Sequence, residues 1–171
     1  MKGPLLITSF RPWRAHQHVN SSDQLIGELI AQNRLPAETI WIDQVPVSFQ
    51  LAPMRVICEI YRLRPRAVIC CGMAENRPHL SLEQQAKGPE GSLHTSLALA
   101  DLLSGTALCE ISRDAGSYVC NHLYYRVLDF IDSANLEIAS LFVHIPKLTR
   151  ENTALIANDF VSIASQLNRH L

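Results

Sequence analysis

Asp114-Ala115-Gly116-Ser117-Tyr118-Val119-Cys120-Asn121-His122 joins two segments of different period. Upstream, Ala107 to Ser112 is short and strand-like. Downstream, Val119, Leu123, Val127 and Ile131 recur at helical spacing, which predicts a helix from Tyr118 to Ile131. Ala115-Gly116 makes the turn between them. Cys120 therefore falls in or near the first helical turn, where backbone N–H groups are unpaired and the helix dipole is positive. Both favour a thiolate, the nucleophilic form of cysteine. The apolar stripe beside Cys120 equally suits a small buried hydrophobe, the common fate of a free cysteine. On these residues alone both readings stand.

Outward from this stretch the strand–turn–helix pattern repeats. Pro4 to Phe10 is a continuous apolar run and reads as a buried first strand. The loop from Arg11 to Ser22 follows, and Ser21 with Gln24 forms a capping box for a helix carrying Leu25, Ile26, Leu29 and Ile30. Thr39 to Val45 reads as a strand closed by Pro46. Leu51 to Leu63 reads as a helix with Met54, Ile57, Cys58 and Tyr61 at helical spacing, ended by Pro65. Ala67 to Cys71 is a short apolar strand closed by Gly72. Met73 to Gly91 is polar and without period, so it is expected on the surface. Ser96 to Leu103 is a short helix candidate and Ile138 to Val143 the last strand. Thr149 caps a final helix with Leu155, Ile156, Phe160, Ile163 and Leu167 on its apolar side. Apolar strands alternating with helices indicate an α/β domain, a three-layer α/β/α sandwich with a largely parallel, twisted central sheet, spanning residues 1–171 as one unit. In such folds functional groups gather at the carboxyl ends of strands.

Composition narrows the function. The formal charge of −1 gives no basis for binding nucleic acid or an anionic membrane surface. No apolar run reaches membrane-spanning length, and the first apolar run is too short for a secretory signal. The cysteines, Cys58, Cys70, Cys71, Cys109 and Cys120, are odd in number and include no C-x-x-C pair, which argues against a disulfide framework or zinc ribbon. A cytoplasmic location is the simplest expectation. All but Cys120 read as buried hydrophobes.

A cysteine hydrolase needs a thiol, a histidine to move its proton, and a polar group to orient the imidazole. Cys120, His144 in Phe142-Val143-His144-Ile145-Pro146, and Glu83 in Ser81-Leu82-Glu83-Gln84-Gln85 have the chemistry for these roles. Each also has a structural reading: a core cysteine, a hydrogen-bonded histidine at a strand end, a solvated surface carboxylate. The pair His16-x-His18 lacks further ligands at metal spacing and reads as loop polarity. Asp114 reads as a turn residue, and the cluster Arg62, Arg64, Arg66 as complementing a helix carboxyl end.

The chain resembles the pyroglutamyl peptidase I family of cysteine peptidases. The residues that carry the resemblance are Gly72-Met73-Ala74 with Leu80-Ser81-Leu82-Glu83 and Ala86, the block Ala115 to Asn121, the block Phe142 to Pro146, and the opening Ile7 to Trp13 followed by Asn20-Ser21-Ser22. The resemblance implies a Cys120–His144–Glu83 triad that removes N-terminal pyroglutamate from peptides through a thioacyl intermediate, without metal or cofactor. It implies that Phe10 and Trp13 pack on the lactam ring, with Val47, Tyr118 and Val119 lining the same pocket. A flat neutral ring suits such an aromatic slot. It also implies a homo-oligomer. A catalytically weakened binding protein on the same scaffold, or an amidase for another small ring, are the alternatives.

The chain departs from the family pattern in places. Gln84 and Gln85 stand where a basic and a small apolar residue are usual, and Glu75 and Ser9 stand where glycine is common. The segment after Glu83 is shortened to Lys87-Gly88-Pro89-Glu90-Gly91-Ser92-Leu93-His94 and lacks the arginine that the resemblance places near the oxyanion. Arg77 and Arg113 are the residues available to replace it.

Overall fold

The structure, a computed structural model, describes residues 3–13 and 17–170; His16 lies outside them. In chain order the elements are β1 (Leu5–Phe10), α1 (Ser21–Ala31), β2 (Thr39–Val45), α2 (Leu51–Leu63), β3 (Ala67–Met73), β4 (Leu80–Glu83), β5 (Gln85–Gly88), β6 (Gly91–His94), α3 (Leu99–Leu102), β7 (Cys109–Ser112), α4 (Val119–Ser133), β8 (Ala139–Ile145) and α5 (Thr153–His170).

Six strands form one sheet in the order β2-β1-β3-β8-β4-β7. The β2-β1-β3-β8 part is parallel throughout, as continuous apolar strands joined by helices require. β4 enters antiparallel beside β8, and β7 pairs parallel to β4. The sheet is thus mostly parallel with two reversed strands at one side.

Residue alternation assigns the two faces. Leu5, Ile7, Ile69, Cys71, Leu141, Val143 and Ile145 pack with Leu25, Leu29, Ile156, Phe160 and Leu167 from α1 and α5. Leu6, Val68, Cys70 and Phe142 pack with Val56, Ile60, Leu123, Tyr124 and Val127 from α2 and α4. This is the expected α/β/α sandwich. The face toward α2 and α4 also carries Gly72, Glu83 and His144, so the sheet presents them to the start of α4.

Several expectations change. The stretch 73–91 is not simply an irregular surface segment: Leu80, Ser81, Leu82 and Glu83 of β4 are fully buried. The alternation Leu80-Ser81-Leu82-Glu83 is only four residues long and is flanked by polar residues, too short to stand out as a strand. The last part of the stretch, with residues to His94, forms the β5–β6 hairpin, which lies against α4. The cap of α1 is Asn20, whose side chain accepts from the Ser22 N–H, so the Ser21–Gln24 capping box is not formed. The predicted apolar side of α2 is largely its outer face. Ala52, Val56 and Ile60 point inward, whereas Met54, Cys58 and Tyr61 are exposed. Two apolar stripes coexist on that helix, and the one carrying Val56 and Ile60 meets the sheet. The 96–103 candidate is a single turn, Leu99–Leu102.

Burial of the thiols has a pH consequence. Cys70 and Cys109 are pushed up to about 12, and Cys71 upward as well, in each case chiefly because burial penalises the thiolate. A raised pKa means the unfolded chain releases these protons first as pH rises. The stabilising contribution is complete below the unfolded thiol range, about 8.5, and declines above it. Urea denaturation at pH 7.5 and pH 9.5 is expected to give a lower midpoint at pH 9.5, and Cys70→Ala should reduce that pH dependence. An unchanged midpoint would contradict it.

Candidate active site

Strand ends and helix starts converge on one cavity of about 560 Å³. Phe10 and Trp13 reach it from the end of β1, Val47 and Phe49 from the loop after β2, and Met73 through Arg77 from the end of β3. Asp114, Ala115, Gly116, Tyr118, Val119 and Cys120 enter from the turn before α4 and its first residues, and His144 from β8. Phe10 is buried at the floor, while Trp13 and Tyr118 are half or more exposed at the rim, their rings 6.0 Å apart. Phe49 stacks edge-on against His122 at the opposite rim, 5.2 Å between centroids.

Cys120 is the second residue of α4, with Tyr118 at the cap position. The turn that delivers it is built locally. Gly116 has φ of +76°, in the left-handed region that favours glycine. Its N–H donates to Asp114 Oδ1 at 3.1 Å, the turn role expected of Asp114. Asp114 is also held below its usual range, mainly by the hydrogen bond from Lys87. Gly72 lies directly beneath Cys120: a β-carbon there would sit 3.0 Å from the Phe142 ring and 3.2 Å from Cys120 Cβ. The close approach of α4 to β3 thus needs glycine at this position.

His144 is 6% exposed and Glu83 not at all. The antiparallel register sets Glu83 opposite Phe142 and Ser81 opposite His144, so Glu83 and His144 are diagonal neighbours on one face. His144 Nδ1 and Glu83 Oε1 are 2.7 Å apart. With Glu83 as carboxylate, Nδ1 carries the hydrogen and Nε2 keeps its lone pair. Arg77 Nη1 lies 2.7 Å from the same Glu83 oxygen, and its Nη2 donates to the Asp114 carbonyl at 2.8 Å. Arg113, the other arginine considered, donates instead to Gln84 Oε1 at 3.2 Å and does not line the cavity.

The resting state of Cys120 differs from the expectation. Burial pushes its thiol up to about 12, outweighing the hydrogen bond from its own N–H. No hydrogen bond joins its sulfur to His144. The resting nucleophile candidate is therefore a thiol. Chemically, a thiol with an imidazole base forms its nucleophile when the imidazole takes the thiol proton during attack.

All eight residues singled out from sequence meet here. Seven line the cavity, and Glu83 stands behind His144. Sequence reasoning missed Phe49, and it did not foresee the Arg77–Glu83 contact. Both are signalled only by the chain turning back over the site. Among the described residues, no group of three or more His, Cys, Asp or Glu is placed to hold a metal ion.

A thiol at a helix start and a carboxylate-backed imidazole, facing one cavity at the ends of parallel strands, define an α/β cysteine hydrolase. The pyroglutamyl peptidase family model matches residues 100–166. A pyrrolidone-carboxylate peptidase of Gloeobacter violaceus is 30% identical, covering 86% of this chain and 83% of its own length. One from Caldanaerobacter subterraneus is 28% identical over 86% of this chain and 84% of its own. The crystal structure of Bacillus amyloliquefaciens pyroglutamyl peptidase I superposes with a TM-score of 0.86 at 21% identity, covering 99% of this chain and 98% of that one. The pyrrolidone carboxyl peptidase of Thermococcus litoralis does so at 0.81 and 17%, covering 98% and 94%. The chain belongs to the pyroglutamyl peptidase family.

The thiol and imidazole are separable by alkylation. At pH 7.5, iodoacetamide is expected to modify Cys120 about 10²-fold more slowly in His144→Ala, because the proton acceptor is gone. Peptide mapping by mass spectrometry reads the rate residue by residue. Equal rates in both proteins would remove His144 from the reaction.

Proposed function

We propose that the protein removes N-terminal pyroglutamate from peptides, with Cys120 as nucleophile, His144 as acid–base and Glu83 as the orienting carboxylate. The observation that carries this is the 2.7 Å Nδ1–Oε1 contact, which leaves Nε2 as a base in the cavity that Cys120 also lines, in a chain of this family.

Nε2 accepts the thiol proton as Sγ attacks the carbonyl carbon joining pyroglutamate to the next residue. The resulting oxyanion lies near the free N–H groups of the α4 start, the Cys120 N–H among them. Nε2–H then protonates the leaving amine, and the peptide departs. A pyroglutamyl thioester remains on Cys120. Water, deprotonated by Nε2, attacks it and releases pyroglutamate and free thiol. Glu83 holds the imidazole in one tautomer and stabilises its positive charge in both halves.

The cavity fits this substrate. Phe10, Trp13, Val47, Tyr118 and Val119 offer apolar and aromatic surface to a flat neutral lactam. The floor around Phe10 and Val119 is buried, so the ring binds away from water. A reducing, cytoplasmic setting follows from a reaction that needs a free Cys120 thiol.

Pyroglutamyl-7-amido-4-methylcoumarin under reducing conditions should release fluorophore, and the prolyl analogue, with its charged amine, should not. Cys120→Ala should abolish release, and Glu83→Gln should lower kcat by about 10²–10⁴-fold. Turnover that survives in Cys120→Ala would overturn the proposal. Absence of turnover by the wild type, with Cys120 still selectively alkylated, would point to an amidase with another substrate.

A further inference from the structure

Glu83 is a buried carboxylate whose two oxygens are used unequally. Oε1 meets both His144 Nδ1 and Arg77 Nη1, each at 2.7 Å, while Oε2 has no protein partner. Among the described residues Arg77 is the fixed cation in contact with this carboxylate. The negative charge that His144 experiences is therefore the charge of Glu83 less what Arg77 offsets. Interactions at this depth are screened little by solvent.

The second arm of the same guanidinium reaches the Asp114 carbonyl, two residues ahead of Gly116 and six ahead of Cys120. One rigid planar group thus spans the carboxylate behind the imidazole and the turn in front of the thiol. Lysine, a single point charge on a flexible stem, does not combine an ionic contact with the carboxylate and a separate hydrogen bond to the turn carbonyl.

Resting on the peptidase reading above, we propose that Arg77 is a positioning residue. It sets the charge seen by the Glu83–His144 pair, and with it the acidic limit of activity, while pinning the pre-nucleophile turn to the base side of the site.

Other groups around the pair leave this role to Arg77. Cys120 and Tyr124 face it from α4 and Cys70 from β3, and burial pushes all three upward, so they stay neutral through the working range. Lys87 and Asp114 at the mouth are opposite charges in contact at 2.9 Å and largely offset each other. Ser81, across from His144, carries no charge and donates to Glu110. Removing the Arg77 charge makes the pair hold its proton to higher pH, whether that proton resides on the imidazole or the carboxylate.

The test compares wild type, Arg77→Lys and Arg77→Gln. One readout is kcat and KM for pyroglutamyl-7-amido-4-methylcoumarin against pH. The other is the pH dependence of Cys120 alkylation by iodoacetamide, which needs no turnover. In Arg77→Gln the acidic limb of both profiles is expected to move up by about one pH unit. At the optimum its kcat should fall by about 10²-fold with KM little changed, from misplacement of thiol and base. Arg77→Lys keeps the charge and should retain the wild-type limb, with kcat lowered because one contact is lost.

Wild-type profiles in both variants would overturn the proposal. A loss of kcat in Arg77→Gln without displacement of either limb would also overturn it, since a mere brace behaves that way. If circular dichroism shows that Arg77→Gln does not fold, Arg77→Met removes the same charge while keeping the packing of the stem, and is read by the same profiles. Failure of the wild type to hydrolyse the substrate would count against the peptidase reading alone, because the alkylation profiles still decide the role of Arg77.

Discussion

Everything at this site depends on holding a carboxyl group inside a β-sheet. Glu83 has no exposed surface, and a buried charge is tolerated only when it is paired and hydrogen-bonded. The fold meets that demand by reversing β4 beside β8, which brings Glu83 diagonal to His144, and by folding the loop after β3 so that Arg77 closes on the same oxygen. Such a triad of buried polar groups is a poor way to gain stability, because apolar residues of equal volume commonly do as well. Its retention is explained by what it does to the imidazole: one tautomer, one orientation, and a lone pair aimed at the cavity.

The thiol shows which of two opposing effects prevails. The helix start favours a thiolate by about 0.3–1 kcal/mol. Burial lifts the Cys120 pKa from 9.0 to about 12, which corresponds to about 4 kcal/mol against the thiolate. Desolvation wins, so the nucleophile is stored as a thiol. On the proposed mechanism, reactivity then waits on proton transfer to His144. The helix N-terminus still matters, but at a later moment, when its free N–H groups face the oxyanion.

The parts of this fold that were legible in sequence are those with a sustained period and firm stops. β2 and α2 run from Thr39 to Val45 and from Leu51 to Leu63 as read, closed by Pro46 and Pro65. β4 was not legible, because an alternation of four residues is too short to separate from its polar flanks, and its burial comes from the neighbours that enclose it. The face of α2 was misjudged because side-chain size does not reveal which of two apolar stripes meets the sheet. Cys120, Glu83 and His144 were found because their surrounding blocks resemble a family, whereas spacing alone left each with a structural reading. The contact of Arg77 with Glu83 exists only after the chain has folded back on itself, and the pattern of residues around Pro78 does not announce it.

Gln84, Gln85 and Lys87 converge on the turn before Cys120. Gln85 Nε2 donates to the Arg113 carbonyl at 2.7 Å, and the Gln84 N–H to the Ser112 carbonyl at 2.8 Å. Gln84 Oε1 receives Arg113, and Lys87 holds Asp114. Behind them Asn121, next to the nucleophile, accepts from the Lys87 N–H and donates to its carbonyl, at 2.9 and 2.8 Å. Gly88 lies so close to the Tyr125 ring that a β-carbon there would be 2.2 Å from it. The short hairpin is therefore fastened to both sides of Cys120 through backbone and amide contacts, not through a charged group placed at the oxyanion. A rigid turn that aims backbone N–H groups stabilises an oxyanion without any reorganisation during reaction. In this chain the hairpin and the turn that carries the thiol are thus held as one unit.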